Sequence, residues 1–170
     1  MFSYLSILGL LGVAAWRDIS TRTIPDAVSI ALALLGLTLR LTQGWTAVAL
    51  SLAVAAGLFV VLLACHARGL IGGADVKLLT ALTLGLSPVE SYQLITATAL
   101  VGGVLAVLYV ALSHTLAGSR RPPMRARRCR YVLPRIAAIE LWRIRRRYPL
   151  PYGVAIAVGG MVVVLSSQGG

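Results

Sequence analysis

Two aspartates beside apolar segments are the residues of this chain best suited to chemistry. Asp18 follows the apolar run 2–16, and Asp75 stands in the stretch Ile71-Gly72-Gly73-Ala74-Asp75-Val76-Lys77, just before another apolar run. A carboxylate at a membrane edge is costly, so each is a functional-site candidate that needs a partner. If the two meet at a partly desolvated site, one holds a proton near neutrality and the other ionises. Such a pair can hydrolyse a peptide bond by acid and base catalysis.

Each of these charged residues also has a purely structural interpretation. An Asp at the start of an apolar helix often caps the helix or compensates its dipole, which applies to Asp75 and to Asp26 beside Pro25. Asp18 could form a salt bridge with a neighbouring arginine. Lys77 could simply extend its ammonium group to the membrane interface. Position in the sequence leaves both interpretations open.

Composition restricts the class of protein. Of 170 residues, 58% are hydrophobic and only 12% are charged, which leaves too little polar surface for a soluble domain. The net charge is +11, but eleven of the sixteen basic residues lie between Arg120 and Arg147 and the others flank apolar runs. This distribution is typical of membrane topology rather than of nucleic-acid binding. We therefore expect an all-α integral membrane protein, folded as one domain over residues 1–170.

The apolar runs predict about six transmembrane helices. Pro25 suits the first turn of the second helix, and the fourth helix is short enough to be re-entrant. From 119 to 148 the chain becomes Arg-rich and predicts a basic amphipathic helix on an anionic membrane surface. The predicted helices cover about residues 2–16, 26–41, 46–65, 76–85, 91–113 and 152–165.

The charges also predict the orientation. With the loop after residue 17 in the cytoplasm, fifteen of the sixteen basic residues share the cytoplasmic side and only Arg40 lies outside. Three of the five acidic residues then lie at that face and none at the middle of a span. This placement favours hydrolysis over a transporter or proton-relay subunit, which would need acids within the spans.

Several motifs together resemble a known family. Arg17-Asp18-Ile19, Arg22-Thr23-Ile24-Pro25, the diglycine stretch and Pro151-Tyr152-Gly153 occur in this order. The chain resembles the bacterial prepilin leader peptidases, membrane aspartic peptidases with a GxGD type of active site. Its closest form is the short branch that serves tight-adherence (Flp) type IVb pili, and the resemblance covers the whole chain.

The resemblance implies that Asp18 and Asp75 are the catalytic pair, without a metal or other cofactor. It implies supporting or substrate-binding roles for a larger group: Pro25, Asp26, Gly72, Gly73, Lys77, Pro151 and Gly153. Among these, Lys77 would tune the pKa of Asp75 or contact the substrate, and the two glycines would allow a sharp turn. The implied substrate is an Flp-type prepilin, cut at the cytoplasmic face of the bacterial inner membrane.

Two positions depart from the family pattern. Ala74 replaces the second glycine of GxGD, which requires a backbone without positive φ. Asp26 replaces a common Asn and could compete with Asp18 as the partner of Asp75. The chain also lacks the cysteine-rich zinc region of longer members, so methyl transfer is not implied.

Three questions stay open on sequence alone. The Arg-rich segment could contact anionic lipids, contact pilus-assembly proteins, or only set the topology. A small transporter and an inactive peptidase-like scaffold are alternatives to the enzyme. Which aspartate acts as base is not assigned by the sequence.

Overall fold

The computed structural model describes residues 2–21, 25–116 and 152–167, and every regular element in these ranges is an α-helix. Two of the helices, α3 and α5, are long and apolar enough to cross a membrane, and α6 is a shorter apolar helix. The all-α class is thus confirmed, whereas the number of spans stays a prediction. The Arg-rich segment 119–148 and Pro151 lie outside the described residues. The helices are α1 (Phe2–Thr21), α2 (Asp26–Leu41), α3 (Trp45–Ala67), α4 (Gly73–Thr83), α5 (Pro88–Leu116) and α6 (Tyr152–Ser166).

Helix α1 extends past its predicted end at residue 16. The Ser20 and Thr21 hydroxyls donate to the Arg17 carbonyl oxygen at 3.3 and 2.9 Å, which adds polar partners to a carbonyl in the last turn. Asp18 therefore lies inside the helix rather than in a loop after it. The 20 residues of α1 give a length of about 30 Å, but its apolar part still ends at Trp16, before Arg17 and Asp18.

Helix α5 begins at Pro88, earlier than predicted, because a capping box precedes it. The Ser87 backbone N–H donates to Glu90 Oε2 at 2.7 Å, and the Glu90 N–H donates to Ser87 Oγ at 3.2 Å. Pro88 occupies the first helical position, where its missing N–H has no intrahelical partner to lose. The Ser-Pro-Val-Glu sequence at 87–90 carries the signal of this capping box.

An ion pair ties this capping box to α2. The Nη2 atom of Arg40, in the last turn of α2, lies 3.3 Å from Glu90 Oε2. Arg40 is buried, so its charge needs a partner inside the protein. Arg40, the one basic residue predicted on the outer side, thus pairs with Glu90. The pair lies at the end of α2 opposite to Asp26.

The short helix α4 lies in the centre of the described structure. It packs against α2, α3 and α6, while α6 also packs against α1 and α5. Leu78 and Leu82 on α4 join a common apolar core with Leu11 of α1 and Ile156 of α6. At 11 residues, α4 is only about 16 Å long and cannot cross a bilayer core by itself.

Gly36 of α2 and Gly85, two residues after the end of α4, are in direct backbone contact. A Cβ atom added to Gly36 would lie 2.6 Å from the Gly85 Cα, and one added to Gly85 would lie 2.7 Å from the Gly36 Cα. Any side chain at either position would therefore push the two backbones apart. This contact fixes the far end of α4 and, through it, the position of the whole helix.

Gly36→Ala should destabilise the protein by about 1–3 kcal/mol, because the added methyl group overpacks a backbone contact. The matched control is Gly57→Ala in α3, where an added Cβ meets nothing within 4 Å. That control should be neutral or stabilising by about 0.5–1 kcal/mol, as expected for Gly to Ala in a helix. Thermal unfolding of the detergent-purified variants measures both effects, and equal midpoints for the two variants would contradict the close contact.

Candidate active site

Asp18 is a buried carboxylate held by the start of α6. It lies in the last turn of α1 and is only 7% exposed. The backbone N–H of Val154 donates to Asp18 Oδ2 at 3.3 Å. Val154 lies in the first turn of α6, directly after the buried Gly153, so the carboxylate also faces the positive end of that helix dipole. Both interactions stabilise a negative charge on Asp18.

Asp75 lies in the first turn of α4, with its carboxylate folded back over Gly72. A Cβ atom on Gly72 would lie 3.0 Å from Asp75 Oδ2. Gly72 itself is extended, with φ −70° and ψ 141°, so it does not provide a turn that only glycine can make. The sharp turn predicted at Gly72 is therefore not observed, and a side chain at this position would instead crowd the Asp75 carboxylate. Ala74 lies within α4, where no positive φ is needed.

The structure brings the two aspartates into electrostatic contact. Asp75 lies outside the two candidate membrane spans, and burial together with the nearby charge of Asp18 raises the pKa of the Asp75 carboxyl from 3.8 to about 6. Burial is the larger cause and the Asp18 charge the second. One of the pair is therefore positioned to be ionised and the other to hold a proton at mildly acidic pH.

Residues 5–107 match the sequence model of the type IV leader peptidase family. The match covers more than half of the 170 residues and includes both aspartates. The chain belongs to the type IV leader peptidase family. Members of this family are membrane peptidases. Comparison with curated proteins and with solved structures gave no match.

Asp26 and Lys77 pair with each other in this member of the family. Lys77 Nζ donates to Asp26 Oδ1 at 2.9 Å, and both side chains are more than half exposed. A pair so exposed contributes at most about 1 kcal/mol to stability. The raised pKa of Asp75 is accounted for by burial and Asp18, so the predicted tuning by Lys77 is not what the structure shows.

Pro25 lies one residue before its predicted place in the first turn of α2. It is the N-cap residue, with φ −61° and ψ 135°, and its carbonyl oxygen accepts from the Val28 N–H at 3.0 Å. Its fixed φ suits this position because the extended conformation ends the preceding loop and starts the helix at Asp26. Pro25 therefore positions the start of α2 and the Asp26–Lys77 pair beside it.

His66 in the last turn of α3 and Gly69 in the loop that follows were not among the predicted site residues. Gly69 has φ +73°, so the turn that requires glycine lies here rather than at the diglycine. His66 Nδ1 lies 2.8 Å from the Ile71 carbonyl oxygen, and its ring lies 3.4 Å from where a Cβ on Gly73 would be. Gly69 follows Arg68, the C-cap residue of α3, and a glycine at this position is a common signal for the end of a helix.

A cavity of about 260 Å³ opens beside Asp75 and is otherwise lined almost entirely by apolar side chains. Within residues 2–21, 25–116 and 152–167, no group of three or more His, Cys, Asp or Glu side chains is arranged to hold a metal ion. The Asp75 carboxylate is therefore the charged group that lines this cavity, beside the Thr98 and Tyr152 hydroxyl groups.

The raised pKa of Asp75 predicts how stability depends on pH. Because the folded state binds this proton more tightly than the unfolded state, the stability it contributes is present at about pH 4 and is lost as pH rises through about 6. Asp75→Asn cannot ionise and should therefore be stabilised relative to the wild type more at about pH 8 than at about pH 4. Thermal unfolding of both proteins in detergent at the two pH values measures this.

A constant offset between the unfolding midpoints of Asp75→Asn and the wild type across this pH range would contradict the raised pKa of Asp75.

Proposed function

We propose that this member of the type IV leader peptidase family is an aspartic endopeptidase that uses Asp18 and Asp75. The observation that supports the proposal is the pairing of two unlike carboxylates from separate helices. Asp18 is buried and accepts a hydrogen bond at the start of α6, whereas Asp75 has a pKa raised to about 6. Two titratable groups whose environments separate their protonation states are the arrangement that acid and base catalysis requires.

The environments assign the roles. Asp18, stabilised as an anion, accepts a proton from a water molecule whose oxygen attacks the carbonyl carbon of the scissile peptide bond. Asp75 donates its proton to the carbonyl oxygen, which gives a neutral tetrahedral diol. The diol collapses as Asp18 returns its proton to the leaving amine nitrogen and Asp75 takes one from a hydroxyl group. Both aspartates thereby regain their starting protonation states without a metal ion.

The proposed substrate is an Flp-type prepilin with a short basic leader. The asymmetry of basic residues along the chain supports a position of Asp18 and Asp75 at the cytoplasmic face of the bacterial inner membrane. A bond at that face lies at the cytoplasmic edge of the substrate's own apolar helix, which is where a leader would join it. The Arg-rich segment 119–148 would contact anionic lipids or pilus-assembly proteins on the same side.

Asp18→Asn or Asp75→Asn should each lower cleavage by roughly 10²- to 10⁴-fold or more, because each removes a proton-transfer group while keeping its size. The measurement is the loss of mass equal to the leader when purified protein and an Flp-type precursor are combined in detergent or vesicles. Asp26→Asn is the matched control and should cleave normally. Full activity of Asp18→Asn with an inactive Asp26→Asn would identify Asp26 as the true partner of Asp75.

The precursor itself provides a second test. We expect a small residue before the cut, because the scissile bond must reach the Asp75 carboxylate, which lies close over the Gly72 backbone. Replacing the last leader residue, expected to be glycine, by Leu or Phe should block cleavage. The same replacement two residues earlier in the leader is the control and should be tolerated. Unchanged cleavage of the bulky precursor would exclude this arrangement of the site.

A further inference from the structure

The cavity beside Asp75 is a groove with apolar walls and an apolar floor. Its floor is formed by Leu79 of α4 and Ile156 of α6, both buried. Its walls are formed by one pair of side chains from each of two helices. The pairs are Leu58 and Leu62 of α3, and Ile95 and Ala99 of α5. We call this space the lateral groove.

The lateral groove opens between the two helices that qualify as membrane spans. α3 and α5 make few contacts with each other, so the groove between them is not closed by direct helix packing. On the α5 side, Ile95 is 41% exposed and Ala99 is also exposed. An opening flanked by two apolar spans leads into the bilayer, because the surfaces beside it are the ones that lipid covers.

The direction of the groove follows from the helices that line it. Leu79 lies one turn along α4 from Asp75, on the side away from the diglycine end. Leu62 and Leu58 lie about one and two turns before His66 on α3. The groove therefore starts at the Asp75 carboxylate and continues toward the interior of the membrane.

We propose that the lateral groove is the docking site for the apolar helix of a membrane-embedded substrate, which enters sideways between α3 and α5. This inference rests on the proposed function. The scissile bond lies at Asp75, and the apolar residues that follow the bond pack against Ile95 and Ala99. A basic leader would not fit the groove, because several positive charges would lose their hydration among side chains that are apolar apart from Asp75, Thr98 and Tyr152. The leader therefore stays on the cytoplasmic side.

Filling the groove tests the proposal. Ala99→Trp places a large ring in the wall, and cleavage of an Flp-type precursor reconstituted with the enzyme should fall by about tenfold or more, because the scissile bond is displaced from the aspartates. The matched control is Leu100→Trp, the next residue on α5, which is 67% exposed and does not line the groove. That variant should cleave at the wild-type rate. Equal rates for both variants would overturn the proposal.

A crosslinking measurement separates loss of docking from misfolding. A photoreactive phenylalanine derivative at Ile95 in the Asp18→Asn protein should crosslink to the apolar helix of the uncut precursor, a few residues after the scissile bond. The same probe at Val107, which is 72% exposed further along α5, should crosslink mainly to lipid. Crosslinks at Ile95 to lipid alone, with the precursor present, would assign the groove to an acyl chain and reject substrate docking.

The two proposals fail in different ways. If the wild-type enzyme does not cut the precursor, or if Asp18→Asn and Asp75→Asn keep full activity, the proposed function is wrong. If the wild type cuts and the aspartate variants do not, but Ala99→Trp cuts normally, only the lateral docking site is wrong.

Discussion

The carboxylate of Asp18 imposes the constraint on which the rest of this site depends. A charge so buried is costly unless it is hydrogen-bonded and electrostatically compensated. The compensation described here comes from the first turn of α6, where the Val154 N–H donates to it and the helix dipole presents its positive end. Helix α1 must therefore pack against α6, and this packing fixes where Asp75 can approach.

The position of Asp75 depends on how α4 is held. This helix is too short to reach both membrane surfaces, so packing inside the protein sets its depth. The contact between Gly36 and Gly85 holds one end, and the apolar core around Leu78 holds its middle. At the other end the exposed Lys77–Asp26 pair adds little energy, and the first turn carries Asp75 next to the buried charge. The partly buried position of Asp75 and the nearby Asp18 charge raise the pKa of Asp75, which supports the distinct roles proposed for the two residues.

The sequence was sufficient for the class of fold and for several helix positions. Strong apolar periodicity and Pro25 placed α2 correctly at Asp26–Leu41, and α6 differs from its prediction by one residue at its end. The errors lie where a few hydrogen bonds decide a helix end, as with Thr21 in α1 and the Ser87 capping box of α5. Hydropathy does not register such bonds, because they involve short polar side chains next to the apolar run.

The contacts that each site residue makes in the folded chain were harder to predict than the site residues themselves. Asp18 and Asp75 stood out from their charge and position, but the roles of Gly72 and Lys77 depend on which side chains lie above them in the folded chain. Gly72 serves the Asp75 carboxylate and Lys77 serves Asp26, and neither relation follows from spacing along the sequence. The lateral groove likewise exists only where four helices meet.

The hydrogen bond between Asp18 and Val154 joins residues that are far apart in the chain. Synthesis delivers α1 and α4 to the membrane long before α6, so the Asp18 carboxylate has no helix dipole to neutralise it during most of translation. Before α6 inserts, the Asp18 carboxylate lacks the Val154 hydrogen bond, so its burial within the membrane is more costly. The packing of α1 against α6, and with it the buried environment of Asp18, therefore forms only after the α6 segment has been made.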